Sequence, residues 1–204
     1  MRSEWMMLTE ETTVPDIALP VDQFKAHLRL GTGFGEDTLQ DSVLNGFLRA
    51  AIVAIEARIS KVLISRAFTW KIHAWRDRAG EVLPVAPVSE VNAVVMSDGG
   101  GTETVLDTSL YRLVEDSQAP RVRPMGTLLP VISPGGAVRI DLTAGMAVDW
   151  GGLPADLGQA VLLLAAHYYE YRNETALSDG CMPFGVTSLI QRYRTMRISV
   201  GAAQ

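Results

Sequence analysis

Residues that carry chemistry are scarce in this sequence. Cys181 is the only cysteine, so no internal disulfide can form, as expected for assembly in a reducing compartment. Three histidines occur, His27, His73 and His167, and there is no G-x-S-x-G elbow to present a serine nucleophile. No run of eighteen apolar residues is available to span a bilayer. The first residues, MRSEWMMLTEE, lack the apolar segment of a secretory signal. The expectation is a soluble protein, cytoplasmic when synthesised. Acids also run out: none follows Asp179, whereas Arg192, Arg194 and Arg197 do, leaving a basic end on a chain of net charge −5. That overall charge argues against a dedicated nucleic-acid binder, whose usual footprint is a basic face.

What is present is apolar and periodic. With 48% hydrophobic and 20% charged residues over 204 positions, the chain can bury a core and is not composed like a disordered one. The strongest stretch is 153–174. Leu157, Val161, Leu164, Tyr168 and Tyr171 recur every three or four residues, and Ala160, Leu162, Leu163, Ala165, Ala166 and Tyr169 fill the other faces. A helix apolar nearly all round is buried on several sides. Pro154 suits its first turn and Asp156 its positive dipole end. A second stripe, Leu44, Phe47, Leu48, Ala51, Ile52, Ile55 and Ile59, predicts a helix over about 36–60. Shorter helices are expected at about 21–30 and 186–193.

Between them the period changes. Phe68, Trp70 and Ile72 alternate with Thr69, Lys71 and His73, the pattern of a half-buried strand. Asp98-Gly99-Gly100-Gly101 reads as a hairpin turn, and further short strands are expected near 111–115, 121–123 and 137–143. The expected fold is α+β and mainly helical: a helical bundle framework with a β-rich insertion, about 66–145, between the second and third main helices. Residues 1–18 have no period and read as an arm, and 195–204 as a tail.

Candidate sites are few. Gly31-Thr32-Gly33-Phe34-Gly35 is G-x-G-x-G rather than G-x-G-x-x-G, follows a helix rather than a strand, and precedes Glu36 and Asp37, which would repel a phosphate. It reads as a connection. His167, Glu170 and Glu174 share a helix face, as metal ligands in a bundle do, but the second matching motif such sites need is missing. Cys181 has no histidine near it in sequence. Trp70, Trp75, Trp150 and the tyrosines lack the interleaved basic residues of a base-stacking groove and read as core or interface. Arg192, Arg194 and Arg197 could meet an acidic partner, DNA or solvent.

The order of several motifs resembles the head–tail connector (adaptor) proteins of long-tailed phages and gene transfer agents. Val21-Asp22-Gln23-Phe24-Lys25-Ala26-His27-Leu28-Arg29-Leu30 is similar to the family's opening helix. Ile55-Glu56-Ala57-Arg58-Ile59 leads into Leu63-Ile64-Ser65-Arg66-Ala67-Phe68-Thr69-Trp70 as in that family. Leu83-Pro84-Val85-Ala86-Pro87-Val88 resembles its L-P-x-x-P-V turn. Val138-Arg139-Ile140-Asp141-Leu142-Thr143-Ala144-Gly145 resembles its V-R-I-x-Y-x-A-G strand, with Leu142 replacing the aromatic. Leu153-Pro154 through Arg172 resembles the closing helix, and Pro183-Phe184-Gly185-Val186 with Tyr193-Arg194 the terminal motif. The resemblance covers about 19–197, placing a connector domain at 19–194. The N-terminal arm and Asn173 depart from the pattern.

The resemblance implies a structural protein with no catalytic residues, cofactor or metal. Such proteins form a ring, usually dodecameric, in the virion neck between the portal and the tail stopper or terminator. They assemble in the host cytoplasm, and DNA passes through without sequence-specific binding or any membrane. It also implies a portal contact near the C-terminus, for which Arg192, Arg194, Arg197, Ile198 and Val200 are the candidates. Tyr168, Tyr169 and Tyr171 are the candidates for subunit packing. The rival readings are an interaction module outside a virion and a small hydrolase using His167 and Glu170.

Overall fold

The computed structural model describes residues 6–30, 37–172 and 182–194. Two compact units share the chain: residues 1–18 with 61–153, and 19–60 with 154–204.

The first unit is built from strands. Five of them, in the order β1 (Met6–Glu10), β2 (Arg66–Ile72), β8 (Ala137–Ala144), β4 (Val88–Ser97) and β5 (Glu103–Val105), form an antiparallel sheet. A second antiparallel sheet holds β3 (Glu81–Val82), β7 (Arg121–Pro124) and β6 (Tyr111–Val114). Alternation sets the register of the large sheet. Phe68, Trp70 and Ile72 stand opposite Leu142, Ile140 and Val138, and all six are buried in one apolar cluster with Val94, Val122 and Leu129. A one-residue slip would turn that whole face outward.

Beyond the core, single buried charges pin the loops. Glu81 is only 1% exposed, and its Oε2 accepts from the backbone N–H of Arg76 at 2.6 Å and of Asp77 at 3.3 Å, fixing the turn before β3. The buried Arg66 guanidinium lies over the Phe68 ring and places Nε 2.8 Å from Glu10 Oε1, which holds β1 on the sheet. The segment expected as an arm therefore carries an ordered strand.

The second unit is helical: α1 (Val21–His27), α2 (Asp37–Ile59), α3 (Ala155–Glu170) and α4 (Phe184–Ile190), followed by a 3-10 turn, Gln191–Tyr193. In α2 the expected stripe is buried at Leu44, Leu48, Ala51, Ile52, Ile55 and Ile59. Ser60, at φ 57°, ends the helix in the left-handed conformation. In α3, Leu157, Ala160, Val161, Leu162, Leu164, Ala165 and Ala166 are all buried. Most of its apolar surface is thus covered within one chain, as a helix apolar nearly all round requires.

This architecture corrects the expected fold class. The protein is a mixed α+β fold with two antiparallel sheets, not a mainly helical bundle framework. Of the four α-helices among the described residues, two have seven residues each, too short to make a bundle by themselves. The strands carry weaker sequence signals than the long helices do. They are short, β4 is interrupted by register shifts near Val88/Glu90 and Val91/Ala93, and all five residues of β1 are exposed, so no period of two marks it.

Candidate functional site

The residues singled out at the C-terminal end meet on the helical unit. Pro154, extended at ψ 134°, opens α3 and puts Asp156 in its first turn. The Asp156 carboxylate accepts from the Tyr193 hydroxyl at 2.8 Å and lies 2.8 Å from Arg192 Nε. Arg192 Nη2 in turn donates to the Tyr193 oxygen. Burial pushes the Tyr193 phenol up, with Asp156 adding to the effect and Arg192 opposing it. Three groups thus form a clamp that joins the end of the 3-10 turn to the start of α3. The side chain of Arg192 is still 70% exposed, so it can meet a partner while remaining paired within the chain. Arg194 is exposed. Arg197, Ile198 and Val200 lie outside the described residues.

The three tyrosines near the other end of α3 have different environments. Tyr169 is half-buried and packs its ring edge-on to Phe47 of α2, centroids 5.8 Å apart at 82°, with the Arg172 guanidinium 4.6 Å from its centroid on the exposed side. Tyr168 is half-buried too, and desolvation raises its pKa. Tyr171 is 39% exposed and packs its ring against His167, centroids 4.6 Å apart and tilted at 47°. Tyr169 therefore serves packing inside the unit, while Tyr171 faces outward.

His167 is engaged with aromatic rings, against Tyr168 as well as Tyr171, and Glu170 is exposed. Glu174, Cys181 and the glycines 31, 33 and 35 fall outside the described residues. Among the described residues no group of three His, Cys, Asp or Glu side chains is placed to hold a metal ion, and no helix is long and apolar enough to cross a membrane. Among the described residues the tryptophans do not form a stacking platform. Trp70 is 1% exposed in the β core, Trp75 donates its Nε1–H to Pro130 O at 2.8 Å, and Trp150 is half-buried. The clamp is not foreseen from the sequence, because Asp156 and Tyr193 are far apart in the chain. The only signal for it is a lone acid in the first turn of a helix with an Arg-Tyr pair downstream.

No protein-family model matches the chain, and no curated protein matches it. Solved structures do. A chain from the neck of an empty gene transfer agent particle, computed with C6 symmetry, is 50% identical, the match covering 96% of this chain and 98% of that one with a TM-score of 0.86. A chain of the virion of the native gene transfer agent particle matches at 50% identity and TM-score 0.83, with the same coverage. A third, from the neck of the native particle computed with C12 symmetry, is 47% identical at TM-score 0.81, again covering 96% of this chain and 98% of that one. With about half of all positions identical across nearly the whole of both chains, shared ancestry covers the strand-built and the helical unit alike, and the chain belongs to the head–tail connector (adaptor) family of long-tailed phages and gene transfer agents.

Proposed function

We propose that this protein is a structural subunit of the neck of a gene transfer agent or phage particle, where copies of it form a ring between the portal and the tail stopper. The observation that carries this reading is the near full-length match to neck chains at 47–50% identity. Particle necks with C6 and C12 symmetry support a closed ring of identical subunits, and twelve copies is the reading that accommodates both symmetries. A closed ring of identical subunits needs two different surfaces on each copy. In this reading DNA passes through the ring, assembly takes place in the cytoplasm of the bacterial host, and the protein performs no catalysis.

The portal contact is assigned to the chain from Arg194 onward, with Arg197, Ile198 and Val200, and to the exposed guanidinium of Arg192. Since Arg192 is already paired with Asp156, its part is to present a charge held in place rather than to reach for one. The test is particle production with this chain removed. Filled heads without tails are expected, and normally tailed particles would refute the neck role. Removing residues 198–204 alone should leave the protein folded and unable to join portal-bearing heads. Normal joining by that truncated chain would move the anchor elsewhere.

A further inference from the structure

The small sheet carries a feature that neither the clamp nor the ring explains. Its register places Arg112 of β6 directly opposite Arg123 of β7, and Arg121 shares their face one step along. The other face takes Val122 and Tyr111 into the core, so the three arginines lie on the outer side. Glu81 opposes Val122 and Val82 opposes Arg121, and that register continues to put Gly80 opposite Arg123. There Gly80 offers no side chain, and the Arg123 stem lies across it: an added Cβ would sit 3.1 Å from Arg123 Cγ. Arg121 Nη1 donates to Gly80 O at 3.3 Å. The cross-strand row is therefore glycine, arginine, arginine, with no carboxylate in it.

Like charges directly opposite one another destabilise a sheet, and the same protein shows how such a pair is normally neutralised. In the large sheet Lys71 stands opposite Arg139, but Arg139 has Asp141 at 3.3 Å and Glu103 at 3.4 Å. Arg112 and Arg123 are exposed, and their side chains make no hydrogen bond or ion pair with any described residue. The acids that follow β6 do not fill the gap. Asp116 accepts from the backbone N–H groups of Gln118 and Ala119 and lies within reach of both Lys61 and Arg121, while Glu115 is exposed.

We propose that Arg112, Arg121 and Arg123 form a contact surface for the phosphate backbone of duplex DNA. The ligand must bring several negative charges at once, since it faces adjacent cations on one flat face. All three cations are arginine, whose planar fork matches phosphate oxygens, rather than lysine. Arg121 and Arg123 stand two residues apart on one strand, roughly 6–7 Å, about two axial steps of 3.4 Å along one DNA strand. A contact to phosphates carries no sequence information and is loosened by salt. The proposal rests on the neck reading above, in which a ring encloses the DNA path and repeats this surface in every subunit.

The test is binding of a fluorescent mixed-sequence DNA duplex to the full-length protein across a salt series. Wild type should bind with an affinity that falls steeply with salt. The double variant Arg112→Gln/Arg123→Gln should bind several-fold more weakly, with a log–log slope shallower by about 0.9 for each phosphate that the two arginines had neutralised. Its melting temperature should be unchanged or higher, because a like-charge opposition has been removed. Arg139→Gln, the same charge change at an arginine paired with carboxylates, should leave binding close to wild type. An unaltered slope in the double variant would overturn the proposal. So would a polyglutamate chain competing as well as unlabelled duplex, which would make the partner an acidic protein. Particles that assemble normally while DNA binding ignores Arg112 and Arg123 would sink this inference alone. DNA binding as described in a chain that never enters particles would sink the neck reading instead.

Discussion

Tyr193 donates its hydroxyl to Asp156 at 2.8 Å across 37 positions of sequence, so the last described turn of the chain is fastened to the first turn of α3. Tyr193→Phe removes that bond and the exposed one that its oxygen accepts from Arg192. The expected loss is about 1 kcal/mol, or roughly 2–4 °C in melting temperature for a chain of this size. Arg192→Ala should barely change the melting temperature, because its guanidinium is mostly in solvent. The pH dependence has a definite sign. The Tyr193 pKa is raised by burial, so its contribution is full below the ordinary tyrosine value of about 10 and is lost as pH rises through the higher folded value. Tyrosinate absorbance followed through an alkaline titration should show late-ionising tyrosines, Tyr111 and Tyr168 among them, and Tyr193→Phe should reduce that component without abolishing it. A phenylalanine variant with an unchanged melting curve would mean that the clamp contributes nothing to stability.

Three aspartates do the same local work in the β unit. Asp98 Oδ1 accepts from the backbone N–H groups of Gly100 and Thr102, Asp107 from Ser109, and Asp116 from Gln118 and Ala119. Each carboxyl is held below the ordinary 3.8, first by the backbone N–H of Thr102, Ser109 and Ala119 respectively. A lowered carboxylate pKa stabilises the folded state at pH above the ordinary value, and that contribution is lost as pH falls through the lowered one. Side-chain carboxyl titration by NMR should give three midpoints below 3.8. Asp98→Asn should keep the turn and flatten part of the acid loss of stability. Midpoints at or above the ordinary value would remove the argument.

Gly145 closes the strand motif that ends in Ala144, and the structure gives the reason for it. A Cβ there would lie 2.3 Å from Ser65 Cα and 2.4 Å from Ser65 N, so backbone rather than a movable side chain is in the way. Around it Met146 N bonds Val62 O and Gly145 N bonds Pro87 O, both at 3.0 Å. Gly145→Ala must push these segments apart, costing roughly 3 kcal/mol or more, at the upper end of overpacking effects. Thermal melting should show a fall of roughly 6–12 °C. Gly46→Ala, on the exposed side of α2 with nothing within 4 Å of the added carbon, should instead hold or raise the melting temperature.

How much of this could be read from the sequence follows from the range of each signal. The α2 and α3 stripes and the alternation of β2 are local patterns, repeated often enough to stand out. They place Leu44 to Ile59 and Leu157 to Ala166 correctly in buried positions. β1 has no alternation to read, and its place depends on pairing with β2, where Met6 stands opposite Ile72, and on Arg66 reaching Glu10 from 56 residues away. The same limit hides Asp156 from Tyr193 and Arg112 from Arg123, because strand register and loop closure decide which distant residues become neighbours. The Arg-x-Arg at 121–123 is visible in one strand, but only pairing with β6 adds the third cation. Net charge is equally blind here, since −5 overall is compatible with one basic face.

The aromatic residues of α3 separate folding from assembly. Tyr169 packs edge-on against Phe47, a geometry worth about 0.5–1.5 kcal/mol beyond the area buried. Tyr169→Ala should therefore destabilise the isolated chain by about 2–3 kcal/mol once lost burial is added. Tyr171 is 39% exposed and touches His167, so Tyr171→Ala should leave the melting temperature within about 1–2 °C of wild type. If Tyr171 serves subunit packing, the loss appears only in assembly: sedimentation or electron microscopy with portal protein should show fewer closed rings. Tyr168, half-buried with a raised pKa, lies between the two cases, and Tyr168→Phe resolves it by keeping the ring and deleting the hydroxyl. Unchanged melting with failed ring closure would place that hydroxyl at a subunit boundary. Lowered melting of the isolated chain would place it in the fold, and normal closure by Tyr171→Ala would exclude Tyr171 from subunit packing.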